Sequence, residues 1–224
     1  MKKYSYVGIS LVILVFGIWV VSEMLSRNSK DSLAYLEIEG QRKKVPEFKF
    51  TNQDGETITD EDYLGKVYVV EFFFATCPTI CPIMNENLLE VQDAFYGNMN
   101  FGIASFTINP EHDTPEVLKE HAEELGVKHP HWNFLTGDKE QIYELANQGF
   151  NIYARQDAAA EGGFEHSGFF ALIDQEGYLR SRTDEAGNPI IFYQGSVPRD
   201  QTSGKSHESQ QIDILIEDIE ILLK

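Results

Sequence analysis

Basic residues are scarce in this chain: 18 lysines and arginines stand against 36 aspartates and glutamates, for a net charge of −18. Residues 1–30 hold four of the bases and one acid, so the remainder is more acidic than the whole. Such a body repels nucleic acid and anionic membrane surfaces, and nucleic acid is not expected as a partner. A well-solvated acidic surface is its simplest reading. The familiar catalytic signatures are missing too. No glycine-rich phosphate cradle, no Gly-x-Ser-x-Gly elbow, no EF-hand loop and no His-Glu-x-x-His pair occurs. No internal repeat is visible. Cysteine is nearly absent, with Cys77 and Cys81 the only two. None lies near the N-terminus, which excludes a lipid anchor on cysteine.

Those two cysteines sit in the stretch around which the chain is organised, Phe72-Phe73-Phe74-Ala75-Thr76-Cys77-Pro78-Thr79-Ile80-Cys81-Pro82. An apolar run precedes it and a helical pattern follows. The layout predicts a buried strand, a tight turn and a helix N-terminus. Thiols four positions apart then share one side of a helical turn, close enough for a metal ion or a disulfide. A helix N-terminus favours thiolate, the form that binds metals and attacks disulfides. Pro78 and Pro82 remove donors where a first helical turn leaves them unpaired. Spacing alone also admits two small buried hydrophobes or a structural disulfide.

Length and aromatic content suit one globular domain with appendages. Lys2 and Lys3 precede an apolar run from Tyr4 to Val21, near the roughly 17–25 residues that span a bilayer. No A-x-A cleavage pattern follows it, which favours an uncleaved anchor over a signal peptide. The lysines put the N-terminus in the cytoplasm and the body on the periplasmic or outer face. There, nearby thiols oxidise unless reduced or metallated. The division expected is an anchor over 1–25, a linker over 26–44 with a short strand at 36–38, and a folded domain over 45–224.

Within the domain, Phe48–Phe50 and the turn Asn52-Gln53-Asp54-Gly55 predict a hairpin, and Thr59–Gly65 a short helical turn. Val67–Phe74 reads as a central strand covered on both faces. Met84, Leu88, Val91 and Phe95 form a helical stripe. Phe101–Ile108 is the next strand. A helix follows, capped by Thr114, entered through Pro115 and ended by Gly126. Trp132–Leu135 is a strand, and Asp138 with Gln141 opens a helix through Ala146. Phe169–Asp174 turns at Gln175-Glu176-Gly177 into an antiparallel Tyr178–Thr183. A second turn at Gly187-Asn188 feeds a strand at 190–193. Residues 196–210 read as loop, before a final helix with Ile212, Leu215, Ile216, Ile219 and Leu223 on one face. This order describes a thioredoxin-like α/β domain, a central sheet flanked by helices.

A metal site on two thiolates needs further ligands. His166 is a candidate by context, since it follows the glycine loop 161–165 and precedes the strand at Phe169; a surface loop histidine is the alternative. His129 and His131 flank Pro130 and read as a solvated pair. His112, His121 and His207 have no partner spacing. Met84 lies in the helical stripe and reads as core rather than as a thioether ligand.

Four segments together resemble one family: Cys77-Pro78-Thr79-Ile80-Cys81-Pro82, Asn109-Pro110-Glu111-His112-Asp113-Thr114-Pro115, Leu135-Thr136-Gly137-Asp138, and His166-Ser167 followed by Leu172-Ile173-Asp174. In order and spacing, over about residues 45–177, they are similar to the Sco/SenC copper chaperones. The resemblance implies a thioredoxin fold, a membrane anchor and an extracytoplasmic body. It implies copper, Cu(I) or Cu(II), held by Cys77, Cys81 and His166. It implies a role in assembling the binuclear copper centre of cytochrome c oxidase, whose copper-bearing subunit would be the partner. Asn109 stands where the family usually has aspartate, His112 where arginine is common, and Glu165 where aspartate is usual. Residues 178–204 look longer than is typical. Soft thiolates with one imidazole suit Cu(I) independently of the resemblance. A thiol–disulfide oxidoreductase using Cys77 and Cys81 as a redox pair is the alternative, and it has no need of His166.

Overall fold

The computed structural model describes residues 11–19, 33–184, 186–199 and 210–224. Its main sheet has seven strands. They are β1 (Leu33–Tyr35), β6 (Val67–Phe73), β7 (Phe101–Thr107), β8 (Trp132–Leu135), β11 (Phe169–Ile173), β12 (Leu179–Arg182) and β13 (Tyr193–Gln194). The order is β1-β12-β11-β6-β7-β8, with β13 also paired to β11. Strands β6, β7 and β8 run parallel; β11 is antiparallel to β6, and β12 to β11. Strand β6 is buried at every position, as its β-branched and aromatic content requires of a strand covered on both faces. Phe72 meets Phe106 and Phe150 on one face, while Phe73 meets Phe134 and His121 on the other.

Helix α1 (Cys81–Phe95) buries Met84, Leu88, Val91 and Phe95 on the sheet, each worth about 2 kcal/mol by area. Helix α2 (Pro115–Leu125) starts where Thr114 Oγ1 accepts from the Val117 amide and stops at Gly126, whose φ of +80° is the left-handed C-cap. Helix α3 (Lys139–Glu144) is capped by Asp138 and runs on into a π turn, Leu145–Phe150. Helix α4 (Ile212–Leu223) packs on α1 and β6. Two further hairpins are β4 (Lys49–Thr51) with β5 (Thr57–Thr59), and β9 (Ala154–Gln156) with β10 (Phe164–His166).

Three expectations are corrected here. Residues 33–44, read from sequence as linker, belong to the folded body. Strand β1 pairs with β12, and the Val45 amide donates to the Gly177 carbonyl. The small hairpin of β2 (Glu37–Ile38) and β3 (Gln41–Arg42) also lies there. Leu33 is buried, and the guanidinium groups of Arg42 and Arg180 lie 3.8 and 3.9 Å from the Tyr35 ring centroid. Strands of two or three residues are too short to show a period in sequence. Second, α1 begins at Cys81, so Cys77 lies in the loop before it rather than on its first turn. Third, the strand expected at 190–193 is confined to Tyr193–Gln194.

Residues 11–19 are helical, with their large apolar side chains exposed. The rest of the Tyr4–Val21 run lies outside the described residues, as does His207. Among the described residues no helix is long and apolar enough to cross a membrane.

Candidate metal centre

Strand β6 delivers the chain to one end of the sheet, and residues 74–80 form the cysteine loop there. The Cys77 amide donates to the Phe74 carbonyl at 3.1 Å, which tightens the turn. The Ala75 amide donates to Asp113 Oδ2, also at 3.1 Å. Asp113 is fully buried, accepts a short hydrogen bond from the Thr107 hydroxyl, and sits 2.8 Å from His112 Nδ1. This carboxylate therefore ties the cysteine loop to the loop after β7. Cys81 is the first residue of α1, followed by Pro82, with Ile80 at the cap.

His166 arrives from 85 residues away along the chain. It is the last residue of β10, in register with Ala154 of β9. Its Nε2 lies 3.2 Å from Cys81 Sγ, and its Nδ1 lies 3.3 Å from the Ser167 carbonyl. A proton on Nδ1 satisfies that carbonyl and leaves the Nε2 lone pair facing the sulfurs. The Phe74 ring meets His166 edge-on at 6.0 Å. The β9–β10 hairpin tip folds back over the cysteine loop. Gly162 has φ +77°, and a Cβ there would lie 2.8 Å from the Phe74 ring and 3.1 Å from Pro78 Cδ. The glycine serves close packing here.

The donor atoms of Cys77, Cys81 and His166 all lie within 4.8 Å of one another. Thiolate–metal bonds of about 2.3 Å in a three-coordinate set place donors about 4 Å apart, so the set fits one ion. Both thiols are free, and the three side chains are 8 %, 2 % and 9 % exposed respectively. Beside them Pro78 and Thr79 are exposed, which leaves the cysteine loop open to solvent on one side. The two thiols do not titrate alike. The hydrogen bond from Cys81 pulls the Cys77 thiol down to about 3, against the effect of burial and with help from His166. The bond to Cys77 and burial push Cys81 up. The shared hydrogen bond and burial thus favour one proton held between the two sulfurs, so the pair offers one thiolate.

Among the described residues no other trio of histidine, cysteine and carboxylate side chains converges in this way. His129 is buried, not solvated: its Nε2 lies 3.2 Å from the Asn98 carbonyl and its Nδ1 accepts from the His131 amide. His121, on α2, stacks on Phe73 of β6. Met84 is core, as its stripe predicts. Asp113 carried no role in the sequence reading. Its signals in the sequence are its place inside the Asn109–Pro115 segment and immediately before the Thr114-Pro115 helix start.

The family model described as SCO1/SenC matches residues 37–195. A SCO2-like protein of Rickettsia typhi is 31% identical over 174 residues, which cover 75% of this chain and 84% of that protein. Among solved structures, BsSco is 27% identical with a TM-score of 0.63, covering 80% of this chain and 93% of that one. It is described, with a disulfide switch, as a member of the Sco family of cytochrome c oxidase assembly proteins. Bradyrhizobium japonicum ScoI with copper bound is 25% identical with a TM-score of 0.55, covering 63% and 89%. The matched span takes in the cysteine loop, the buried aspartate and the histidine hairpin alike, and on that footing this chain belongs to the SCO1/SenC family.

Proposed function

We propose that this protein is a copper chaperone. Cys77, Cys81 and His166 hold one copper ion as cargo, and the protein serves assembly of the binuclear copper centre in the copper-bearing subunit of cytochrome c oxidase. The observation that carries this reading is the meeting of three soft or borderline donors within 4.8 Å, two of them sulfur. Such a set suits Cu(I), and Cu(II) can use it with one more donor. The copper in Bradyrhizobium ScoI and the assembly role stated for the family of BsSco support it. The solvent-exposed Pro78 and Thr79 suit a site that must release its ion.

Residues 1–25 act as the membrane tether and the body works on the extracytoplasmic side. Support for this lies in the exposed apolar side chains of the helix at 11–19 and in Lys2 and Lys3 ahead of it. A thiol–disulfide oxidoreductase acting through the same sulfurs is the second reading, favoured by two free neighbouring thiols whose shared hydrogen bond eases loss of the first proton.

Anaerobic titration of the reduced protein with Cu(I) and with Cu(II) tests the first reading. One ion per chain is expected, with binding weakened in Cys77→Ser and in Cys81→Ser. Stoichiometric disulfide exchange without copper uptake would replace it by the second.

A further inference from the structure

The segment 190–199 has no part in the reading above, yet it is fastened on both sides of the site. Asn87 of α1 is 2 % exposed, and its Nδ2 donates to the Gly195 carbonyl at 2.8 Å and to the Val197 carbonyl at 2.9 Å. One helical turn further along, Glu90 pairs with Arg199, which also pairs with Asp213 of α4. On the other side, the Gly195 amide donates to the Gly168 carbonyl at 2.8 Å, and β13 pairs with the start of β11. The two backbones meet without side chains between them. A Cβ on Gly168 would lie 2.5 Å from Ser196 Oγ and 3.5 Å from Ile80 Cδ1, and one on Gly195 would lie 2.7 Å from the Phe170 ring.

Gly168 is two residues past His166, and Ile80 immediately precedes Cys81. A line of direct contacts therefore leaves α1 at Asn87, crosses the segment at 195–197 and enters the histidine loop at Gly168. Both ligands at the 3.2 Å contact hang on elements that this segment joins. On the His166 side the other ties include the short β9 ladder, the Ser167 amide donating to the Tyr153 carbonyl, the Arg155–Glu165 ion pair and the Phe74 ring against His166.

We propose that residues 190–199 form a strap that holds His166 in register with Cys81, and that Asn87 is the positioning residue on which the strap is fastened. The inference rests on the copper reading. Fixing the third ligand before the ion arrives removes the ordering cost from the binding step. Removing a direct hydrogen-bond partner of a metal ligand weakens metal binding about 10- to 100-fold, and Asn87, which acts on His166 through the strap, should fall at or below the lower end of that range.

The test uses Asn87→Ala beside His166→Ala and the native chain, in anaerobic Cu(I) titration and in the electron paramagnetic resonance spectrum of the Cu(II) form. In Asn87→Ala, Cu(I) affinity should fall several-fold, up to about tenfold. The nitrogen hyperfine pattern should weaken, while the rate of thiol alkylation stays as in the native chain; loss of packing alone would not produce that combination. If Asn87→Ala fails to fold, Asn87→Ser, whose hydroxyl spans only one of the two carbonyls, decides by the same readouts. Native affinity and an unchanged nitrogen pattern in the Asn87 variant, with His166→Ala impaired, overturn the strap alone. A His166→Ala chain that binds copper as the native chain does overturns the copper reading, and the strap with it.

Discussion

Cys81 Sγ and His166 Nε2 lie 3.2 Å apart, although the two residues are 85 positions apart in sequence. One starts a helix and the other ends a two-strand hairpin, so their contact reports how those two elements are docked. The sulfur pair is local to one loop and its neighbouring helix turn. The imidazole is the long-range addition.

That asymmetry separates metal binding from thiol chemistry. His166→Ala leaves both sulfurs in place and removes the nitrogen. Cu(I) affinity is expected to fall by at least about 100-fold, since losing a ligand outright costs more than losing a group that only orients one. Iodoacetamide still modifies both thiols in the unfolded control and Cys77 in the folded protein. Titration against a competing Cu(I) chelator, with alkylation followed by mass, reads both quantities on one sample.

Asp113 is expected to matter for stability more than for metal stoichiometry. Its carboxylate accepts from the Ala75 amide and the Thr107 hydroxyl in a fully buried setting. Asp113→Ala strands both donors, at about 1–3 kcal/mol each, and urea unfolding should show a loss of at least about 2 kcal/mol. Asp113→Asn retains one acceptor oxygen and should lose less. Copper bound at saturation stays at one ion per folded chain in both variants.

Much of this architecture was legible in the sequence because its strands and helices are long enough to show a period. Strand β6 shows in the sequence as the near-continuous apolar run from Val67 to Phe74, and α1 as the Met84–Leu88–Val91–Phe95 stripe. What stayed hidden depends on tertiary contacts. Strand β1 is three residues long and is recognisable only by its partner β12. His129 looks solvated beside Pro130 until its bond to the Asn98 carbonyl is seen. Cys77 falls outside the helix because the Cys77–Phe74 amide bond closes a separate turn before α1 starts. The trio itself was readable as two sulfurs plus a histidine of uncertain reach; only the folding-back of the β9–β10 hairpin supplies the reach.

Glu71 gives a pH dependence with a definite sign. It sits fully buried in β6; Ser105 Oγ donates to its Oε1 at 2.7 Å, and its Oε2 has no hydrogen-bond partner. Burial pushes its carboxyl up to about 7, partly offset by the Ser105 hydrogen bond. The folded state then binds the proton more tightly than the unfolded chain. Its contribution is full below the ordinary carboxylate value and is lost as pH rises towards 7. A shift of that size corresponds to about 3 kcal/mol. Glu71→Gln cannot ionise, so it should gain stability relative to the native chain between pH 4.5 and 7.5, by up to that amount. Urea midpoints of both proteins across that range check it, and parallel curves would refute it.

Gly162 and Gly163 offer a paired test of how the hairpin tip supports the site. Both have positive φ, at +77° and +85°, so alanine at either position incurs the left-handed backbone cost of about 1–2 kcal/mol. Their surroundings differ. A Cβ at 163 meets nothing within 4 Å, while one at 162 comes within 2.8 Å of the Phe74 ring, whose edge contacts His166. Overpacking adds about 1–3 kcal/mol at 162 alone. Moving the Phe74 ring also disturbs the imidazole it packs against. Gly162→Ala should therefore lose more stability than Gly163→Ala and also bind Cu(I) more weakly, while Gly163→Ala keeps near-native affinity. Equal losses of stability in the two variants, with copper binding untouched in both, would mean that the hairpin tip bears on the site through its backbone conformation only.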